Sequence, residues 1–167
     1  DFVTMWGTIE GEPFYFVVCH WPSRLGGQAA SEPKRLAAAA RVRELVDSVR
    51  QANPATKVVV MGDLNDDATD RSIVEGLGAK GKIGDVQPGD MFNPFIALLK
   101  AGYGSLAYRD DWNLFDNIIV SENLATGSTG ELKLQKVGDT KFYGGIFRRP
   151  YMIQKEGQYK GYPLRTF

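Results

Sequence analysis

The run VVVMGDLNDD at positions 58–67 passes from β-branched residues straight into three acids and an asparagine. Asp63 and Asn65 stand at the carboxyl edge of this strand-like run, where open α/β sheets gather their ligands. Two residues apart in a turn, they can aim at one point, the carboxylate accepting a proton and the amide donating a hydrogen bond. A second polar group follows another strand-like run in CHWPSR, positions 19–24, where His20 closes the strand and Ser23 and Arg24 lie in the loop after it. The fork of Arg24 suits a phosphate.

Two other readings of the acidic run compete. Asp63, Asn65 and Asp67 match the first ligand spacings of an EF-hand, but that loop needs glycine and a bidentate glutamate where Ala68 and Val74 stand. Calcium is therefore excluded. A strand-ending Asx turn, in which Asp63 bonds its own backbone, stays open beside the chemical reading.

Positioning these groups falls to a small set of elements. FVTMWGTIEGEPFYFVVCH at positions 2–20 reads as a β-hairpin with a Gly11-Glu12-Pro13 turn signal. Along its second strand Phe14, Phe16, Val18 and His20 share one face, and Tyr15, Val17 and Cys19 the other. A helix is expected from an N-cap at Ser31 to about Ala52, with Leu36, Ala39, Ala40, Val42, Leu45, Val46 and Val49 as its apolar stripe and arginines and acids off it. Lys57 to Met61 then reads as a buried central strand, so that strand, helix and strand make a crossover unit. Beyond it come a short helix at 70–77, an amphipathic segment at 94–100, a strand at 116–121 and short strands at 131–136 and 141–147.

Composition bounds the rest. With 167 residues, 43% of them apolar, the chain can bury one core, and a single domain is expected. Twenty basic and twenty acidic side chains cancel, so no global field draws it onto a polyanion, and phosphate recognition has to be local. The lone Cys19 excludes an internal disulfide framework and a multi-cysteine zinc cage, and reads as a small buried strand residue. No apolar run approaches the roughly 20 residues a bilayer span needs, which points to a soluble chain. The start at Asp1, inside a strand-like run, reads as a piece of a longer protein, so export stays open.

CHWPSR, GDLND and WNLFDNIIVS (112–121), in that order and rough spacing, resemble the endonuclease/exonuclease/phosphatase family of DNase I-like phosphoesterases, in particular bacterial members carrying His-Trp-Pro-Ser-Arg. The resemblance spans the chain and implies the later part of an α/β sandwich, with β-sheets packed face to face and helices outside. It implies Asp63 as the group that orients or deprotonates the attacking water, and Asn65 as the amide that steadies the phosphorane-like transition state. His20 becomes a donor toward a phosphate oxygen, and Asp116 the partner of a second histidine. The cofactor it implies is Mg²⁺ or Mn²⁺, and the substrate a phosphodiester, in nucleic acid or a phospholipid headgroup, or else a phosphomonoester.

The family's metal is held chiefly by an early Asn and Glu and by a terminal Ser-Asp-His, and none of these can be found here. His20 is the only histidine in the chain. These 167 residues alone are thus expected to turn over little substrate and to bind metal weakly. They are read either as part of an active hydrolase or as a remnant that keeps the fold as a binding module. Asp66 and Asp67 are read as turn support, Asp110 and Asp111 as a solvated loop or a contact near the site. Arg148 and Arg149 read more naturally as a surface pair than as a phosphate patch.

Overall fold

The computed structural model describes residues 1–108 and 111–164. Asp110 lies outside the described residues.

The hairpin forms as β1 (Phe2–Ile9) and β2 (Glu12–His20), paired antiparallel. Its turn is tighter than the sequence suggests. Glu10 and Gly11 both take positive φ, 51° and 82°, the mirror-image turn that matches strand twist, and Pro13 falls inside β2 opposite Thr8.

Helix α1 (Gln28–Ala52) leads into β3 (Lys57–Asp63), which runs parallel to β2. The helix begins at Gln28, not after Ser31. Ser31 is buried inside the first turns, where its hydroxyl donates to Gly27 O at 2.7 Å and turns inward instead of capping. Ala39, Val42, Val46 and Val49 are buried as the periodicity requires, while Ala40 is exposed. The buried stripe also contains a charge: Arg35 has no exposed surface.

After a single π-turn at Ser72–Gly76 come the two-residue strands β4 (Ala79–Lys80) and β5 (Met91–Phe92), then α2 (Phe95–Lys100). The ribbon β6 (Leu106–Tyr108) and β7 (Asp111–Asn113) forms a separate two-stranded sheet. Strand β8 (Asp116–Ser121) runs into the short α3 (Glu122–Thr126). The main sheet has six strands in the order β1-β2-β3-β8-β5-β4, with β8 antiparallel to β3. Segments 131–136 and 141–147 are not strands. Their apolar side chains Leu132, Leu134 and Tyr143 pack on the sheet while their backbones pair with no neighbouring strand.

One sheet face, with Tyr15, Val17, Val58, Val60 and Ile119, packs under α1. The other carries a smaller core around Phe14, Val59, Phe92 and Val120. The expected α/β class, with a helix outside the sheet, is what the chain adopts. Both faces of β2 alternate as anticipated, and Cys19 is buried on the α1 side, its thiol pushed up to about 11 chiefly by that burial.

Candidate active site

Three neighbouring strands bring the polar groups together. In the ladders, His20 of β2 is the partner of Asp63 in β3, and Asp63 is the partner of Asp116 in β8. Partner positions project to the same face, so the three side chains form one row on the face away from α1. Behind it lies a second, apolar row of Val18, Met61 and Ile118.

Gly62 lets β3 reach this arrangement. It sits at φ 130°, and a Cβ there would stand 2.0 Å from the carbonyl oxygen of Cys19. Only glycine allows β2 and β3 to run so close beside Asp63.

Beyond β3 the chain turns sharply. The Asp63 carboxylate accepts the Asn65 backbone N–H at Oδ1, 2.9 Å away, which is the Asx turn. The turn and the chemistry are compatible, because this bond occupies Oδ1 and leaves Oδ2 facing His20. Asn65 holds a left-handed φ of 51°, and its Nδ2 donates to Trp21 O at 2.9 Å. One amide hydrogen is thus used to fix the side chain, and the second remains to donate.

His20 Nε2 and Asp63 Oδ2 lie 4.0 Å apart, with side chains 74% and 43% exposed. That is beyond hydrogen-bonding distance, so the two groups face a common space without closing on each other. A buried, carbonyl-bonded histidine is excluded by this exposure. The Asp116 carboxyl makes no hydrogen bond among the described residues. Although Asp116 is solvent-exposed, local packing first and the charge of Asp63 second push its carboxyl above the usual range.

Arg24 is committed to the loop. Its Nη2 donates to Asp70 Oδ2 at 2.7 Å, its Nε to Asn65 O at 2.9 Å, and its guanidinium lies 4.4 Å over the Phe115 ring. It braces the turn that carries Asn65, whereas Ser23 is exposed beside it. Asp67 accepts from Leu114 N at 2.7 Å and from Asn113 Nδ2 at 2.9 Å, and so ties the turn to the corner that precedes Asp116. Buried Asn117 holds that same corner by donating to Leu114 O at 3.0 Å.

Asp66 is the anchor beneath. It is fully buried, accepts the Ser72 hydroxyl at 2.6 Å, and pairs with Arg35 Nε at 2.6 Å. Arg35 in turn donates to Ser31 Oγ and Gln28 Oε1, both at 2.8 Å. Asp70 completes the cluster. Burial pushes its carboxyl up and the charges of Asp66 and Asp67 add to this, against the Asp67 N–H and Arg24. Reading the sequence as a periodic pattern missed Arg35, Asn113 and Asn117. Only the placement of Arg35 at the stripe's own spacing, four before Ala39, signalled its burial.

Among the described residues no group of three His, Cys, Asp or Glu side chains is placed to hold a metal ion. The described residues do not by themselves build the Mg²⁺ or Mn²⁺ site that the resemblance implies.

The fold and this row define an α/β domain that gathers a carboxylate pair, an amide and an imidazole at the ends of adjacent strands. The chain belongs to the endonuclease/exonuclease/phosphatase family, whose model matches residues 1–167. It is similar in structure to truncated Caenorhabditis elegans TDP2, at TM-score 0.52 and 17% identity over 74% of this chain and 46% of that one. The human Nocturnin catalytic domain with bound sulfate matches at TM-score 0.47 and 18% identity, over 72% of this chain and 40% of that one. Sphingomyelinase C from Streptomyces griseocarneus matches at 0.46 and 17%, over 74% and 43%. The chain therefore spans less than half of each of these structures. No curated protein matches it in sequence. No helix among the described residues is long and apolar enough to cross a membrane.

Proposed function

We propose that the protein containing this chain is a phosphoesterase that hydrolyses a phosphodiester by in-line attack of water, without a covalent intermediate. The alignment of His20, Asp63 and Asp116 in one ladder row, with the Asn65 backbone N–H bonded to Asp63 Oδ1 beside it, carries this reading. Family membership supports it.

In this mechanism Asp63 Oδ2 takes the proton of the attacking water while Oδ1 keeps the turn in place. Charge builds on the equatorial phosphate oxygens, where preorganised donors have their largest effect, and His20 and the second Asn65 amide hydrogen supply two. Asp116 orients an imidazole that these 167 residues do not contain. Mg²⁺ or Mn²⁺ belongs to the reading as a requirement met by groups beyond those described. The chain alone is proposed to have little turnover.

The test is hydrolysis of bis-p-nitrophenyl phosphate by the complete protein with Mg²⁺ and with Mn²⁺. Asp63→Asn should lower kcat by about 10²- to 10⁴-fold, the usual contribution of a general base. An unchanged rate in that variant, or full activity without divalent cations, would refute the mechanism. Complete inactivity of the intact protein on phosphodiesters and monoesters alike would instead make the fold a binding module.

A further inference from the structure

The segment 147–164 carries large side chains that packing does not explain. Phe147, Tyr151 and Tyr159 are 67%, 69% and 59% exposed. They nevertheless belong to an ordered loop. An antiparallel bridge joins Ile153 to Pro163, and backbone bonds run from Gln154 N to Tyr162 O at 2.8 Å and from Leu164 N to Met152 O at 2.7 Å.

The same segment concentrates positive charge. It holds Arg148, Arg149, Lys155 and Lys160 against the single carboxylate of Glu156, in a chain that is neutral as a whole. All four cations are exposed, and none is in an ion pair among the described residues. The Arg149 guanidinium lies 5.1 Å over the Phe147 ring, which sets a cation beside a flat apolar face.

A line of contacts leads from this loop to the site. Tyr159 packs on Tyr162 with ring centroids 5.7 Å apart, and Tyr162 meets Trp112 at 5.5 Å. Trp112 adjoins Asn113, which holds Asp67 in the turn after Asn65.

Exposed rings each within two positions of an unpaired cation match a ligand that offers flat apolar faces and regularly spaced negative charge. Single-stranded nucleic acid has both, whereas a duplex stacks its base faces away. A bilayer-inserting surface would instead need an apolar tip free of charge, and here cations interrupt it. We propose that residues 147–164 bind single-stranded nucleic acid, with bases stacked on Phe147, Tyr151 and Tyr159 and phosphates paired with Arg148, Arg149, Lys155 and Lys160. The proposal concerns binding and does not require hydrolysis. If the hydrolytic reading also holds, it narrows the phosphodiester to one in a nucleic acid.

Fluorescence anisotropy of a labelled oligothymidylate of about 12 nucleotides, a length within the usual site sizes, tests this with EDTA present. For four phosphate contacts, log affinity should fall against log salt with a slope of roughly −3. The triple variant Phe147→Ala, Tyr151→Ala, Tyr159→Ala should bind about ten-fold or more weakly, while Tyr151→Phe with Tyr159→Phe should bind normally, because stacking needs the ring and not the hydroxyl. Far-UV circular dichroism would confirm that each variant folds. No measurable binding by the folded chain, equal binding by the triple variant, or tighter binding to phosphatidylserine vesicles with the same dependence on the three rings would overturn the proposal. Absence of bis-p-nitrophenyl phosphate hydrolysis by the complete protein with Mg²⁺ or Mn²⁺, with oligonucleotide binding intact, would count against the hydrolytic reading alone.

Discussion

His20 and Asp63 are direct partners in the parallel β2–β3 ladder, yet their side chains stop 4.0 Å apart. The gap suits two groups that act on a third. A closed His–Asp pair would have spent the donor and the acceptor on each other.

From this comes the first prediction. The His20 ring is largely in solvent and braces nothing, so His20→Gln should change unfolding free energy by no more than about 0.5 kcal/mol. In the complete protein the same change should lower kcat by about 10²-fold or more. Urea denaturation and steady-state kinetics on one preparation separate the two effects.

Asp116 should behave in the opposite sense for stability. Its folded carboxyl is raised above the ordinary 3.8, so the folded state holds that proton more tightly than the unfolded chain. That contribution is fully present below 3.8 and is lost as pH rises through the raised value, because local burial first and the neighbouring Asp63 second disfavour the charged Asp116 carboxylate. Asp116→Asn should therefore raise Tm at pH 7 and have a much smaller effect at about pH 3. A calorimetric scan at each pH reads the difference, and a Tm at pH 7 below that of the wild type would contradict it.

Arg35 and Asp66 form a buried pair with 0% and 1% of their side chains exposed. Arg35→Met should cost about 3–5 kcal/mol, because it leaves the Asp66 charge buried and unpaired. Asp66→Asn together with Arg35→Met should recover part of that loss. Denaturant midpoints of the single and double variants give the coupling.

At Asn65 the backbone and the chemistry can be separated. Asn65→Gly keeps the left-handed φ of 51°, while Asn65→Ala pays an additional steric cost of about 1 kcal/mol. Both remove the amide, so both should lower kcat in the complete protein while differing in stability. Equal stability would mean that the φ of this residue is not under strain.

Gly62 admits no side chain. A Cβ at 2.0 Å from Cys19 O has to force β2 and β3 apart, and Gly62→Ala should destabilise by more than about 3 kcal/mol. Poor soluble yield or a steep fall in Tm is the expected reading, and a Tm close to that of the wild type would show that the strands can separate freely.

How much of this was legible in the chain varied with how local the signal was. Strands β2, β3 and β8 declared themselves as apolar runs, and α1 as a period of three to four. The tie of Asn65 to Asp63 spans two residues, and an Asx turn could be read directly. Strands β4 and β5, of two residues each, exist only because neighbouring strands offer them partners. Leu132, Leu134 and Tyr143 suggested strands because they are apolar, but packing against the sheet satisfies them without pairing. For Arg24 the sequence left a phosphate fork and a solvated loop arginine both open, because nothing in its neighbourhood revealed that Asp70, far along the chain, would bond it.

The sequence by itself determined which chemical groups exist and that Asp63, Asn65, His20 and Asp116 stand at or just past strand ends. It also determined the alternation that sends His20 away from Cys19 and toward the face shared by Phe14 and Phe16. Only the tertiary structure decided that β2, β3 and β8 would be neighbours in that order, with His20, Asp63 and Asp116 at the same level. The reason is physical. Alternation along a strand is local stereochemistry, whereas strand order and register come from hydrogen bonds and burial among segments far apart in the chain, and these are settled only when the whole core closes.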